Sequence, residues 1–280
     1  MANLIAQTGI VITGAIVRLT SSGLGCPSWP ECVPGSVTPT SSQTQAWHKY
    51  IEFGNRTLTS VLVVVALLTI AAMRNERKEL KLLSYGTLAG IFGQALLGGV
   101  TVLTGLNPLA VGSHFLLSIW LIAVAAKLQW NYKHNNSVSA TDVVHPHIWS
   151  GIRLHSLLAV IVLVMGTLVT GSGPHAGDSA DITRLPFDPR MISWLHADVV
   201  LLFIGLSIGL VIALRATNAP NYVSRAAVIV VAVALAQGLI GYVQYFTSLP
   251  WVLVAFHVLG ATLLWIATMR LRYCATTQIN

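Results

Sequence analysis

Long apolar runs separated by short polar stretches set the pattern of this chain. A helix needs about 20 apolar residues to cross about 30 Å of hydrocarbon, and eight runs have about that length. They are Ala2 to Leu19, Phe53 to Met73, Leu82 to Leu106, Leu109 to Trp130, Ile152 to Thr170, Met191 to Leu214, Ala226 to Phe246 and Pro250 to Leu271. The pattern predicts an all-α, polytopic membrane protein with eight transmembrane helices.

Composition agrees with a membrane environment. Of 280 residues, 54% are hydrophobic and only 9% are charged, whereas about a quarter of the residues of a soluble domain are charged. The first run has no basic region before it and no cleavage pattern after it, so we interpret it as a membrane span and not as a signal peptide.

The distribution of positive charge predicts the orientation. A net charge of +7 would suit a nucleic-acid partner, but the basic residues are concentrated in alternate loops, as the positive-inside rule describes. Eleven of the 16 lysines and arginines follow spans two, four and six or lie at the end of span eight: Arg74, Arg77, Lys78, Lys81, Lys127, Lys133, Arg153, Arg215, Arg225, Arg270 and Arg272. We therefore expect both termini on the cytoplasmic side, contact with membrane lipid, and no nucleic-acid partner.

The cysteines fit the same orientation. Cys26 and Cys32, in "GCPSWPEC", lie in a loop on the predicted outer side, where thiols can oxidise, and Cys274 lies on the reducing side. We expect a disulfide between Cys26 and Cys32. Two unpaired loop cysteines are the alternative, and a metal site is disfavoured because two sulfurs do not complete a tetrahedral shell.

An internal repeat organises the spans. The segment from Gln94 to His114 aligns with that from Gln237 to His257 at a shift of 143 residues, and 8 of 21 positions are identical. An even number of spans separates the copies, so the repeat is parallel. We predict two four-helix bundles: residues 1–130, a cytoplasmic linker 131–151, and residues 152–280.

Four histidines lie within predicted spans, where ionisable groups are costly and indicate function. His114, His196 and His257 lie five to seven residues inside the outer ends of their spans, at a common depth of roughly 8 to 10 Å. Imidazoles on facing helices of a bundle can hold a haem iron from both sides. A neutral imidazole hydrogen-bonded to a neighbouring helix is the alternative for any single histidine, and we favour it for His155, which lies nearer the inner side.

The start of the second span carries three polar groups. Glu52, Asn55 and Arg56 are spaced by three and four residues, so they share one helical face. Asn55 is near the position that matches His196 in the repeat. Asparagine is a poor iron ligand compared with imidazole.

Four stretches together resemble the haem A synthase family, which converts haem O to haem A for cytochrome oxidase. They are "TGAIVRLTSSGLGCPSWPEC", "IEFGNRTLT", the repeated segments that end in His114 and His257, and "TGSGPHAGD". The resemblance covers nearly the whole chain. It departs from the family's Glu-x-x-His-Arg pattern at one place, where this chain has Asn55.

The resemblance implies a role for each of these residues. His114 would bind the substrate haem, His196 and His257 would bind a resident haem b in the C-terminal bundle, and Glu52 would be the catalytic carboxylate. Arg56 would bind a haem propionate or form an ion pair with Glu52, and Asn55 would hydrogen-bond Glu52 or a water near the iron.

The resemblance also implies the reaction and its setting. The C8 methyl group of haem O becomes a formyl group with oxygen from water, in an oxidoreductase of haem biosynthesis. The implied partners are haem O, the farnesyltransferase that makes haem O, and an electron acceptor, in a bacterial plasma membrane.

Two other functions fit part of the pattern. A dihaem transmembrane electron-transfer protein would use the histidines but leaves Glu52 and the cysteine loop without a role. A transporter would use the paired repeats and would contain no haem.

Overall fold

A computed structural model describes residues 1–134, 139, 142–178 and 182–278. That part of the chain contains eight α-helices and no β-strand: α1 (Ala2–Leu19), α2 (His48–Met73), α3 (Lys78–Leu103), α4 (Pro108–Lys133), α5 (Pro146–Ser172), α6 (Pro189–Ala216), α7 (Asn221–Phe246) and α8 (Trp251–Cys274). All eight are long and apolar enough to cross a membrane. The prediction of an all-α polytopic membrane protein is therefore confirmed.

The helices differ from the apolar runs mainly at their ends. α2 begins at His48 instead of Phe53, and α5 begins at Pro146 instead of Ile152. An apolar run marks the part of a helix that lies in hydrocarbon, whereas backbone hydrogen bonding continues into the polar interface. α3 ends at Leu103 and not at Leu106, because the chain turns there through left-handed conformations at Gly105 and Leu106.

The predicted linker, residues 131–151, is partly helical. α4 continues to Lys133 and α5 begins at Pro146, so helix enters the linker from both sides. Proline is favoured at the first position of a helix, where its missing N–H has no intrahelical acceptor in any case. Residues 135–138, 140 and 141 of the linker lie outside the described residues.

The chain divides into two compact units. One unit comprises Met1–Ala125 and Thr167–Ile192, and the other comprises Ala126–Gly166 and Ser193–Asn280. The divisions fall within α4, α5 and α6, whereas the sequence repeat places them in the linker. The arrangement as two repeated four-helix bundles, with its boundaries at 130 and 152, stays a prediction.

In the first unit α2 packs against both α1 and α3. Leu62, Ala66 and Ile91 form a buried cluster that lies against Ala6 and Ile10 of α1. Large apolar side chains of α2, among them Val64 and Leu68, are exposed. Helices in a membrane keep apolar residues on both faces, because lipid solvates the outer one.

In the second unit α7 packs against α8. Small residues line the buried side of these helices, such as Ala227, Ala234 and Thr262. A side chain added at Gly260 would collide with the amide of Gln237. Small residues let membrane helices approach closely, and packing replaces the hydrophobic effect as the source of association.

Candidate functional site

Glu52 and Arg56 form an ion pair in the first turns of α2, in which Glu52 is buried and Arg56 is partly exposed. Arg56 donates to Oε1 of Glu52 from Nη2 at 2.6 Å and from Nε at 3.1 Å. The Glu52 side chain is 7% exposed and that of Arg56 is 22% exposed. A spacing of four residues on a helix brings the two side chains together, so the shared face predicted from the sequence is present.

The remaining donors of Arg56 hold the loop that precedes α2. Nη1 donates to the carbonyl oxygens of Ser28 at 2.9 Å and Glu31 at 3.2 Å, and Nη2 also donates to that of Cys26 at 2.6 Å. With its two bonds to Glu52, the guanidinium uses all five of its N–H groups. A haem propionate could bind Arg56 only by replacing one of these bonds, so the geometry favours the ion pair over the propionate contact.

This loop contains the predicted disulfide. Cys26 and Cys32 are bonded to each other, and both are fully buried. The N–H of Cys26 donates to Oε2 of Glu52 at 2.7 Å. Each carboxylate oxygen therefore has a partner, one from a helix side chain and one from the loop backbone.

Two close approaches fix this loop on the helices. A Cβ at Gly25 would lie 2.5 Å from the carbonyl oxygen of His48, so only glycine lets the loop backbone meet the start of α2 this closely. The indole of Trp29 lies directly over Gly99 of α3. The loop is thus packed against both α2 and α3.

The same unit contains His114, near the start of α4. Its imidazole is half-buried and lies against Gly98 of α3, where an added Cβ would be 3.2 Å from Cε1. Gln94 of α3 donates to the His114 carbonyl oxygen at 3.1 Å and to Ser118 Oγ at 2.9 Å. The repeated Gln-to-His segment thus joins α3 to α4 at the histidine.

His196 and His257 belong to the second unit and repeat this glycine contact. An added Cβ would lie 3.5 Å from Cε1 of His196 at Gly166, and 3.4 Å from Cε1 of His257 at Gly241. At the shift of 143 residues Gly98 aligns with Gly241. The first and fifth spans match more weakly, with Gly14 aligned with Gly166, and the sequence gives no reason for either pair. In the structure Gly98, Gly166 and Gly241 each face a histidine ring; an added Cβ would be tight at Gly98 and about at van der Waals contact at Gly166 and Gly241.

The ring nitrogens of these histidines are suited to a haem ligand. Within the described ranges, the buried Nδ1 of His114, of His196 and of His257 forms no hydrogen bond with any residue. A buried polar group without a partner costs about 1 to 3 kcal/mol. Coordination of an iron would use such a nitrogen, so the residues present fit the predicted haem groups.

His155 differs from these three histidines, because its ring has a hydrogen-bond partner. Its Nε2 is 2.8 Å from Ser207 Oγ, and its ring stacks on Phe203 with the centroids 4.3 Å apart. The side chain is completely buried. The structure therefore supports the structural role predicted for this histidine.

Asn55 contacts α1 and not Glu52. Thr13 Oγ1 lies 2.7 Å from Asn55 Oδ1, a contact that the sequence analysis missed because Thr13 is one of many hydroxyl residues in apolar helices. Glu52, Asn55, Arg56, His114 and the disulfide all belong to the first unit. The structure brings Glu52, Arg56 and Cys26 into direct contact.

Comparison with known proteins identifies the family. Residues 1–269 match the COX15-CtaA family, described as cytochrome oxidase assembly protein. The chain belongs to this family. Membership also agrees with the eight apolar helices of an integral membrane protein.

Several curated relatives carry the name heme A synthase. The Staphylococcus epidermidis (strain RP62A) protein is 25% identical over 275 residues, which cover 93% of this chain and 89% of that protein. The Lysinibacillus sphaericus protein is 31% identical over 57% of this chain and 53% of its own length. The Geobacillus thermodenitrificans protein is 32% identical over 35% of this chain and 30% of its own length. The matched part thus spans about half or less of the last two relatives.

Proposed function

We propose that this member of the COX15-CtaA family is a haem A synthase. It oxidises the C8 methyl group of haem O to a formyl group, and the oxygen comes from water. The observation that carries the proposal is the buried Glu52, which is held by Arg56 and by the disulfide loop in the same unit as His114. The names of the relatives support it.

The reaction requires a base and an electron acceptor. Its balance is R–CH3 + H2O → R–CHO + 4 H+ + 4 e−, and a hydroxymethyl group forms after the first two electrons. Glu52 is the group in this site that can accept protons or stabilise positive charge at the methyl carbon. Its Oε2 accepts one neutral backbone N–H, whereas Oε1 accepts two charge-assisted bonds from Arg56. Oε2 is therefore the more basic oxygen and the one that acts.

The histidines divide between substrate and cofactor. His114 binds the substrate haem in the first unit, and His196 and His257 hold a resident haem b in the second. The resident haem supplies one-electron transfer when it is bound. The glycines at positions 98, 166 and 241 keep the imidazoles against the neighbouring helices, and Gln94 fixes the backbone at His114.

The cellular setting follows from the same proposal. The protein lies in a bacterial plasma membrane with both termini in the cytoplasm, receives haem O from the farnesyltransferase that makes it, and passes electrons to an acceptor. The disulfide loop is then on the outer side, where cysteines oxidise.

Chromatography of extracted haems tests the proposal. The unaltered protein, Glu52→Gln and the loop control Glu31→Gln are produced in a host that makes haem O and lacks haem A. Glutamine keeps the size of the side chain and its bond to the Cys26 N–H but cannot act as a base. We expect haem A from the unaltered protein and Glu31→Gln, and haem O or its hydroxymethyl derivative from Glu52→Gln.

Three results would contradict the proposed haem A synthase function. Haem A formation by Glu52→Gln at the unaltered rate would remove Glu52 from the chemistry. Two persistent b haems without any conversion of haem O would indicate the electron-transfer protein. A folded preparation without haem would indicate the transporter.

A further inference from the structure

We propose that the haem site of the first unit has one protein axial ligand, His114, and an open coordination position beside Asn55 that binds small neutral ligands. This inference rests on the proposed function for the presence of a haem in that unit. It concerns the coordination of the iron and not the reaction, so the two can be tested separately.

Contact between a histidine ring and a glycine of another helix occurs three times in the described part of the protein. Each predicted iron ligand lies with its Cε1 against a glycine of another helix: His114 against Gly98, His196 against Gly166, and His257 against Gly241. A Cβ added at Gly98, Gly166 or Gly241 would lie 3.2, 3.5 or 3.4 Å, respectively, from Cε1 of the histidine that it faces. The same contact thus recurs at the histidine positions of both units.

A fourth such glycine has no imidazole beside it. Gly14 of α1 corresponds to Gly166 of α5 in the repeat, yet no atom lies within 4 Å of a Cβ placed there. The residue that takes the position of His196 is Asn55, and its carboxamide is bonded to Thr13, next to Gly14. Asn55 therefore occupies the equivalent place on α2, but its shorter side chain leaves the space over the glycine open.

No other side chain of α1 or the outer half of α2 replaces the missing imidazole. α1 contains no histidine, cysteine, methionine or tyrosine. His48 is 3.0 Å from Ser22 Oγ and stacks on Trp47. Both oxygens of Glu52 are engaged by Arg56 and Cys26, and Lys49 Nζ donates to the Thr40 carbonyl oxygen at 2.7 Å.

The two haem sites therefore differ in kind. The second unit offers two histidines, whereas the first offers one histidine and a carboxamide that is already hydrogen-bonded. An iron with two imidazoles has no free position, but an iron with one imidazole binds a further small molecule, and the distal pocket decides which. The open space lies over Gly14, beside the hydrogen-bonded side chains of Thr13 and Asn55.

Carbon monoxide is a direct probe of this difference. Full-length protein is purified in detergent with its haems, reduced with dithionite, and titrated with CO, while pyridine haemochrome spectra give the haem content. We expect CO to bind about half of the haem in the unaltered protein. Asn55→His should reduce that fraction at least about tenfold with the haem content unchanged, because the new imidazole takes the open position.

The opposite substitution in the second unit, His196→Asn, provides a test that does not depend on the folding of Asn55→His. His196→Asn creates there the arrangement found at Asn55, and the haem it retains should gain CO binding. His155→Asn, on the neighbouring helix, should leave CO binding unchanged.

The inference is overturned if the unaltered protein carries two haems and neither binds CO, or if Asn55→His binds CO as the unaltered protein does. A preparation in which half of the haem binds CO but no haem A forms supports the inference and contradicts the proposed function. Loss of CO binding in Asn55→His with continued haem A formation supports both.

Discussion

The backbone N–H of Cys26 lies 2.7 Å from Oε2 of Glu52, so a disulfide-bonded loop residue supplies one of the three hydrogen bonds to this buried carboxylate. The other two come from Arg56, which also donates to the Cys26 carbonyl oxygen. The Cys26 backbone, Glu52 and Arg56 therefore form a closed ring of hydrogen bonds. A change in any one of them affects the other two.

Removal of the Arg56 charge tests the stability of this ring. Arg56→Met leaves the Glu52 carboxylate buried without its cation and frees three loop carbonyl oxygens. Breaking a buried pair in this way costs about 3 kcal/mol, the lower end of the usual range because Arg56 is partly exposed. Thermal unfolding in detergent measures the loss, and Arg74→Met on an exposed loop is the matched control.

The double variant Arg56→Met, Glu52→Gln should recover part of that stability. The neutral amide does not need a cation, although it still accepts the bond from Cys26. Equal melting temperatures for Arg56→Met and the unaltered protein would show that the ion pair contributes nothing.

The disulfide is expected to stabilise the loop over Glu52. It closes a short loop, because its cysteines have a sequence separation of 6, for which the chain-entropy relation gives roughly 2 kcal/mol. The double variant Cys26→Ala, Cys32→Ala should lose about this much and should also convert haem O more slowly, since the Cys26 N–H is then held less firmly on Glu52.

Cys274→Ala is the control for the disulfide variant, because Cys274 is the free cysteine of the described chain. Its melting temperature should remain sensitive to a reducing agent, and that of the double variant should not. Reductant sensitivity in the double variant would mean that another pair of groups is responsible.

His155 should affect stability and not haem binding. His155→Ala empties a fully buried site and removes the bond to Ser207, which costs about 2 to 4 kcal/mol. The haem content per folded protein should equal that of the unaltered protein and of the exposed-site control His145→Ala. A loss of haem comparable to that in His196→Ala would place His155 among the ligands instead.

His175 makes the first unit sensitive to acid. Burial, together with the positive charges of Arg18 and Arg184, lowers the pKa of His175 below its usual value of 6.5. The unfolded chain therefore binds more protons than the folded chain below about pH 6.5, and stability falls as the pH drops through this window. Above it the contribution is fully present.

Melting temperatures between pH 5 and 8 check the effect of His175. In His175→Gln the decrease below pH 6.5 should be smaller than in the unaltered protein, whereas His145→Gln should leave it unchanged. An identical pH profile for His175→Gln would show that other groups cause the decrease.

Apolar runs and charge were enough to predict the membrane class, the number of spans and the type of fold. The runs report hydrocarbon length directly, because a span of apolar residues has no other stable state in lipid. Spacing also placed Glu52 and Arg56 on one face, since contacts four residues apart on a helix are local. Helix ends were less well predicted, because the polar turns of α2 and α5 lie outside hydrocarbon and carry no apolar signal.

Contacts between distant segments were decided only by the tertiary structure. Nothing in the sequence near Cys26, Glu52 or Arg56 indicates that the Cys26 backbone forms hydrogen bonds with both side chains of the ion pair. The glycines beside three histidines appeared as repeat matches without a role. Thr13 and Asn55 are 42 residues apart, and their contact arises from the packing of α1 on α2. Periodicity describes one helix at a time, whereas a site made by several helices depends on how their surfaces fit together.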